Sequence, residues 1–163
     1  MKKNILNLMP VHTTSSAVKN NAFKIFFLCE DRPSLGRALA LKERLAENCR
    51  HQADIEAEFC QYARLCHPRL KKNATAHAIS ADMIVLSAQG TDGLPAFVQT
   101  WMNEISTLCS DKIACAEFLH TDSSNRASGL HRFMENWAAQ SGAQLFSNLF
   151  PSCQFGEPEA AVA

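Results

Sequence analysis

Glu30 and Asp31 end one apolar run, Ser87 ends a second and His120 ends a third. Each type supports a different chemistry. An adjacent acid pair can take a divalent cation or be satisfied by nearby arginines, here Arg32 and Arg37. A serine or a cysteine such as Cys29, with His120 as base and Asp122 beside it, makes a nucleophile–base arrangement. Two features weigh against that second chemistry. No Gly-x-Ser-x-Gly elbow surrounds Ser87, and Cys29 lies in the apolar run FFLC, where desolvation suppresses the thiolate. Cys60, Cys66 and His67 are close in sequence, but their spacing fits no common zinc pattern, so no metal is expected.

These groups share a site only if the chain carries them to one edge of one sheet. Lys24 to Cys29 is continuously apolar, as a strand buried on both faces should be. Ser34 is expected to cap a helix running to about Cys49, with an apolar stripe through Leu35, Ala38, Leu39, Leu41, Leu45 and Cys49. Ile55 to Cys60 alternates as an edge strand does, and the alanine-rich Leu70 to Ala81, with Pro68 near its start, reads as a helix. Met83 to Leu86 is a second buried strand. It is followed by the clearest helical stripe in the chain: Leu94, Phe97, Val98, Trp101, Met102, Ile105 and Leu108. Ile113 to Leu119 is a further strand, Leu130 to Ala138 a helical face closed by Gly142, and Ala143 to Phe150 a fifth strand.

Strands alternating with helices, joined by right-handed crossovers, predict a doubly wound α/β domain. The expected form is a three-layer α/β/α sandwich on a five-stranded parallel sheet of order 2-1-3-4-5. The loops Glu30–Gly36, Ser87–Pro95 and His120–Gly129 then converge at the carboxyl edge, where such sheets bind ligands. The ligand-binding candidates are Glu30, Asp31, Arg32, Ser34, Ser87, Gln89, Gly90, Thr91, Gly93, His120 and Thr121.

The chain has 163 residues, with 16 Lys plus Arg against 16 Asp plus Glu, so no broad positive field recruits nucleic acid. Arg64, Arg69, Lys71 and Lys72, beside Tyr62, form the one basic cluster and read as a solvated helix face. The 7 cysteines are odd in number and include no Cys-x-x-Cys, which points to free thiols in a reducing cytoplasm. The apolar patch from Ile5 to Val11 is too short for a membrane span and lacks a signal-peptide layout. Residues 1–22 therefore read as a flexible lead-in, 23–150 as one domain and 151–163 as an irregular tail.

Three resemblances follow from particular stretches. KIFFLCEDRPSLGRALALKERL resembles the first strand, acidic pair and first helix of receiver domains, and DMIVLSAQGTDGL resembles their third strand and following loop. That likeness implies Glu30 and Asp31 as metal-binding acids and Thr121 in the switch-hydroxyl place. Ser87 stands where the phosphate-accepting aspartate would be, and no lysine follows Lys112 to pair with a phosphoryl group. ADMIVLSAQGTDGLPAFVQTWMNEI resembles the strand, loop and helix of flavodoxins and NAD(P)H-dependent flavin mononucleotide (FMN) reductases. It implies that Gly90, Gly93, Leu94 and Pro95 approach the isoalloxazine and that Arg32, Ser34 and Arg37 stand in a phosphate loop. Glu30 and Asp31 oppose a phosphate there, and Pro33 removes an amide. Finally, Phe23 to Leu149 is similar to a family of small uncharacterised bacterial proteins of this plan.

The resulting expectation is a cytoplasmic, non-catalytic regulatory or interaction module, receiver-like without phosphotransfer residues. The alternative is a flavin-binding NAD(P)H-dependent reductase carrying FMN. A protein partner or a small molecule is expected at the carboxyl edge, with no nucleic acid or membrane; a homodimer is compatible with the neutral charge.

Overall fold

Backbone pairing starts from Phe23–Cys29 (β1), whose residues from Ile25 onward are buried. The computed structural model describes residues 22–88, 93–109, 114–119 (backbone only) and 129–147. The expected lead-in and tail lie outside them. β1 pairs in parallel with Ile55–Gln61 (β2) on one side and Met83–Ala88 (β3) on the other. The parallel α/β class read from the sequence is what forms, with order 2-1-3 at its centre. Parallel pairing continues through Ala114–Leu119 (β4) to Gln144–Ser147 (β5), giving the backbone order β2-β1-β3-β4-β5.

Four α-helices connect or follow these strands: Arg32–Asn48 (α1), Pro68–Ser80 (α2), Ala96–Ser106 (α3) and Gly129–Ser141 (α4). Side-chain alternation in β1 and β3 divides the core in two. Ile25, Phe27 and Val85 point to α1, where they meet Ala38 and Leu41. Phe26, Leu28, Ile84 and Leu86 point the other way, to Val98, Trp101, Met102, Met134 and Trp137 from α3 and α4 and the small Ala74 and Ala78 of α2. Both indoles are buried with their N–H groups satisfied: Trp101 donates to Thr75 Oγ1 at 2.9 Å and Trp137 to the Met102 carbonyl at 2.6 Å. α4 ends at Gly142, whose φ of 74° suits glycine, and the Ala143 amide closes the turn on the Ala138 carbonyl.

Several boundaries differ from the sequence reading for physical reasons. α1 starts three residues earlier than expected: its cap is Asp31, which accepts the Ser34 amide at 2.9 Å, and Ser34 itself is buried inside the first turn. Pro33 fits there because the first helical amides have no intrahelical acceptor. β3 runs two residues past Leu86 and takes Ser87 into the sheet. A 3-10 turn over Tyr62–Cys66, absent from the sequence reading, buries Tyr62 and Leu65. Phe97 and Leu108, expected in the core, lie at the edge of the α3 stripe and are exposed, as is Leu39, expected on the apolar stripe of α1.

Candidate functional site at the carboxyl edge of the sheet

The connection from β1 to α1 is only two residues long, Glu30 and Asp31, and both its ends are fixed. The Glu30 amide donates across to the Ser87 carbonyl at 3.0 Å, and the Leu35 amide donates to the Asp31 carbonyl at 2.9 Å. Ser87 completes the tie from the other side. Its hydroxyl donates to the Ser34 carbonyl at 2.9 Å, and both serines are 0 % exposed. The Arg37 guanidinium reaches back one turn, Nη2 donating to Ser34 Oγ at 3.3 Å. Neighbouring β1 and β3 are thereby joined to the start of α1 by one polar network.

This network decides what the serines can do. A buried hydroxyl that lost its acceptor would carry an unmet desolvation cost of about 1–3 kcal/mol. Ser87 avoids that cost by giving its proton to a main-chain carbonyl, so the hydroxyl is committed to structure. Ser34 is likewise interior. The expected loop placement of Ser87 and Ser34 differs from the structure: Ser87 is the fifth residue of β3 and Ser34 lies in the first turn of α1, both buried.

Among the described residues at this edge, Glu30 and Arg32 are exposed and Asp31 is half-buried. Partial burial lowers the Arg37 pKa, with the negative fields of Asp31, Glu30 and Cys29 acting in the opposite direction. The Cys29 thiol, at the last position of β1, is pushed up to about 12, chiefly by burial and further by Cys60 and Asp31. At neutral pH it is a protonated, packed thiol. Tyr62 sits at the carboxyl end of β2, and burial followed by the fields of Glu30, Cys29 and Asp31 raises its phenol well above the ordinary value. Tyr62 is 4 % exposed, and neither Tyr62 Oη nor Arg37 Nε has a hydrogen-bond partner among the described residues.

Of the sequence candidates, Glu30, Asp31, Arg32, Ser34 and Ser87 are thus brought together around the β1 and β3 ends. Gly93 is exposed and close to the first residue of α4: a Cβ added at Gly129 would come within 3.4 Å of Gly93 Cα. Gln89, Gly90, Thr91, His120 and Thr121 lie outside the described residues. Sequence reasoning left Tyr62 out of the site, although it directly follows β2, the strand paired beside β1. Among the described residues, no group of three or more His, Cys, Asp or Glu side chains could hold a metal ion, and no helix is long and apolar enough to cross a membrane.

A scan against protein-family models finds no match, and neither does a search of curated proteins.

Proposed function

We propose that this chain is a flavodoxin-like five-stranded α/β/α domain that acts by binding at its carboxyl edge rather than by covalent chemistry. The observation that carries the reading is Ser87, whose buried hydroxyl is spent on the Ser34 carbonyl. A receiver needs a carboxylate at the end of its third strand to accept a phosphoryl group, and a hydrolase needs a hydroxyl free to be activated by a base. Ser87 supplies neither. Cys29, the other nucleophile at this edge, is held protonated by burial. What remains accessible is the charged rim of Glu30, Arg32 and, partly, Asp31, which suits recognition of a polar partner or small molecule.

The buried free thiols Cys29, Cys60 and Cys109 support a reducing cytoplasmic setting. FMN is disfavoured because Glu30 is exposed beside the first turn of α1, where a flavin phosphate would sit and be repelled. Titration of FMN with the purified chain, followed by flavin fluorescence, tests this reading against the reductase alternative. No saturable quenching is expected at micromolar protein. Saturable quenching that Glu30→Gln strengthens would replace the proposal with a flavin-binding one.

A further inference from the structure

α2 is polarised in a way the carboxyl edge does not explain. Its inward residues, Ala74 and Ala78, are small and buried. Its flank beside α3 holds a groove of about 490 Å³ lined by Pro68, Lys71, Lys72, Thr75, Ala76 and Ile79. The spacing of those residues puts all six on one helical stripe. Pro68 to Ile79 spans about 16 Å at the α-helical rise, the length of a three-turn partner helix. The lining is almost wholly apolar, from proline, alanine, isoleucine, the threonine methyl and the lysine stems. Ile79 is 38 % exposed on it.

The ionisable residues lining the groove are both lysines, and the acid Glu104 stands beside one of them. α2 contains Arg69, Lys71 and Lys72 and no acid, although acids and bases balance over the whole chain. Lys71 is paired with Glu104 of α3 at 2.8 Å. Arg69 and Lys72 form no ion pair among the described residues. An apolar floor with Lys72 in its lining and Arg69 three residues before it on the same helix is complementary to a segment that is apolar on one face and acidic beside it. A nucleic-acid backbone would match the cations but leave the floor unused.

We propose that the flank of α2 beside α3 is a docking surface for an acidic amphipathic helix of a protein partner. The proposal rests on the reading of this domain as a binding module and adds a surface and a partner chemistry to it. The test uses the full chain and a fluorescently labelled acidic peptide three helical turns long, with leucines at i, i+3 and i+4 spacing and glutamates elsewhere. Fluorescence anisotropy should show saturable binding. Lys72→Glu and, separately, Ile79→Asp should each weaken it roughly tenfold or more, about 1.4 kcal/mol, with unchanged circular dichroism. Arg32→Glu at the carboxyl edge should leave it unchanged.

Four results would overturn the proposal: no saturable binding; equal binding of a scrambled peptide of the same composition; tighter binding of single-stranded DNA or phosphatidylserine vesicles; or self-association of the chain that either α2 substitution removes, which would assign the groove to a second copy. FMN binding would defeat the proposed function and leave this titration standing, whereas absence of peptide binding would defeat the α2 surface alone.

Discussion

Two neighbouring strand-to-helix units solve the same geometric problem differently. In β1–α1 the turn is two residues long, and local polar contacts hold it: the Asp31 cap, the Ser87 hydroxyl and the Arg37 reach to Ser34. In β3–α3 the connection is longer, Pro95 at the head of α3 provides no side-chain cap, and the helix is held by what it buries. Val98, Trp101, Met102 and Ile105 are all buried in the larger core. The lesson is that polar residues at the end of β1 and β3 are part of the frame, while α3 depends on apolar area. Reading every polar residue at a carboxyl edge as a ligand contact overlooks those the helix start itself needs.

The comparison breaks most readily at α3. Trp101→Ala should destabilise by about 3–5 kcal/mol, since it removes the largest side chain of α3 from the core and strands the Thr75 contact. Urea denaturation monitored by circular dichroism checks this, and a loss below about 1 kcal/mol would mean that α3 is not held by burial.

Alkaline pH comes next and acts on the β1 end. The Cys29 thiol is raised in the folded chain from an ordinary 9.0 to about 12. A raised pKa favours the protonated form on folding, so its stabilisation is complete below pH 9, fades as the unfolded thiol ionises and is lost by pH 12. The urea midpoint should therefore fall as pH climbs above 9, and fall less steeply in Cys29→Ala. Identical slopes in the two proteins would remove Cys29 from the explanation.

Smaller effects sharpen the contrast. Asp31→Ala should cost about 1 kcal/mol through the lost cap, and Ser87→Ala a similar amount, about 0.5–1.5 kcal/mol, through the lost buried hydrogen bond. Hydrogen exchange should then speed up in the first turn of α1 and not in α3; an equal change in both helices would show that the network is not local. Smallest is Glu104→Gln, which removes the exposed Lys71 pair between α2 and α3 and should change stability by under about 1 kcal/mol.

How far the sequence reveals this arrangement depends on the range of the interactions. Continuous apolar runs identified β1 and β3 because a strand buried on both faces has little choice of residue. Three- and four-residue spacing located α3 and α4, and alternation marked β2 as partly solvated. The end of β3 was not legible, since a serine after four apolar residues looks like the start of a loop until Ser34, 53 residues away, supplies its acceptor. The cap of α1 was misassigned within a single turn: Asp31 and Ser34 are both good capping residues, and the backbone at Asp31 decided between them. Tyr62 and the 3-10 turn carried a weak local signal, Tyr62 and Leu65 three residues apart, overshadowed by the basic residues around them.

The carboxyl edge is proposed to recognise a ligand without reacting. Incubation of the chain with acetyl phosphate and magnesium, followed by measurement of its intact mass, should show no phosphoryl adduct. A hydroxylamine-labile adduct on Glu30, Asp31, Asp82 or any other acid would contradict the proposal.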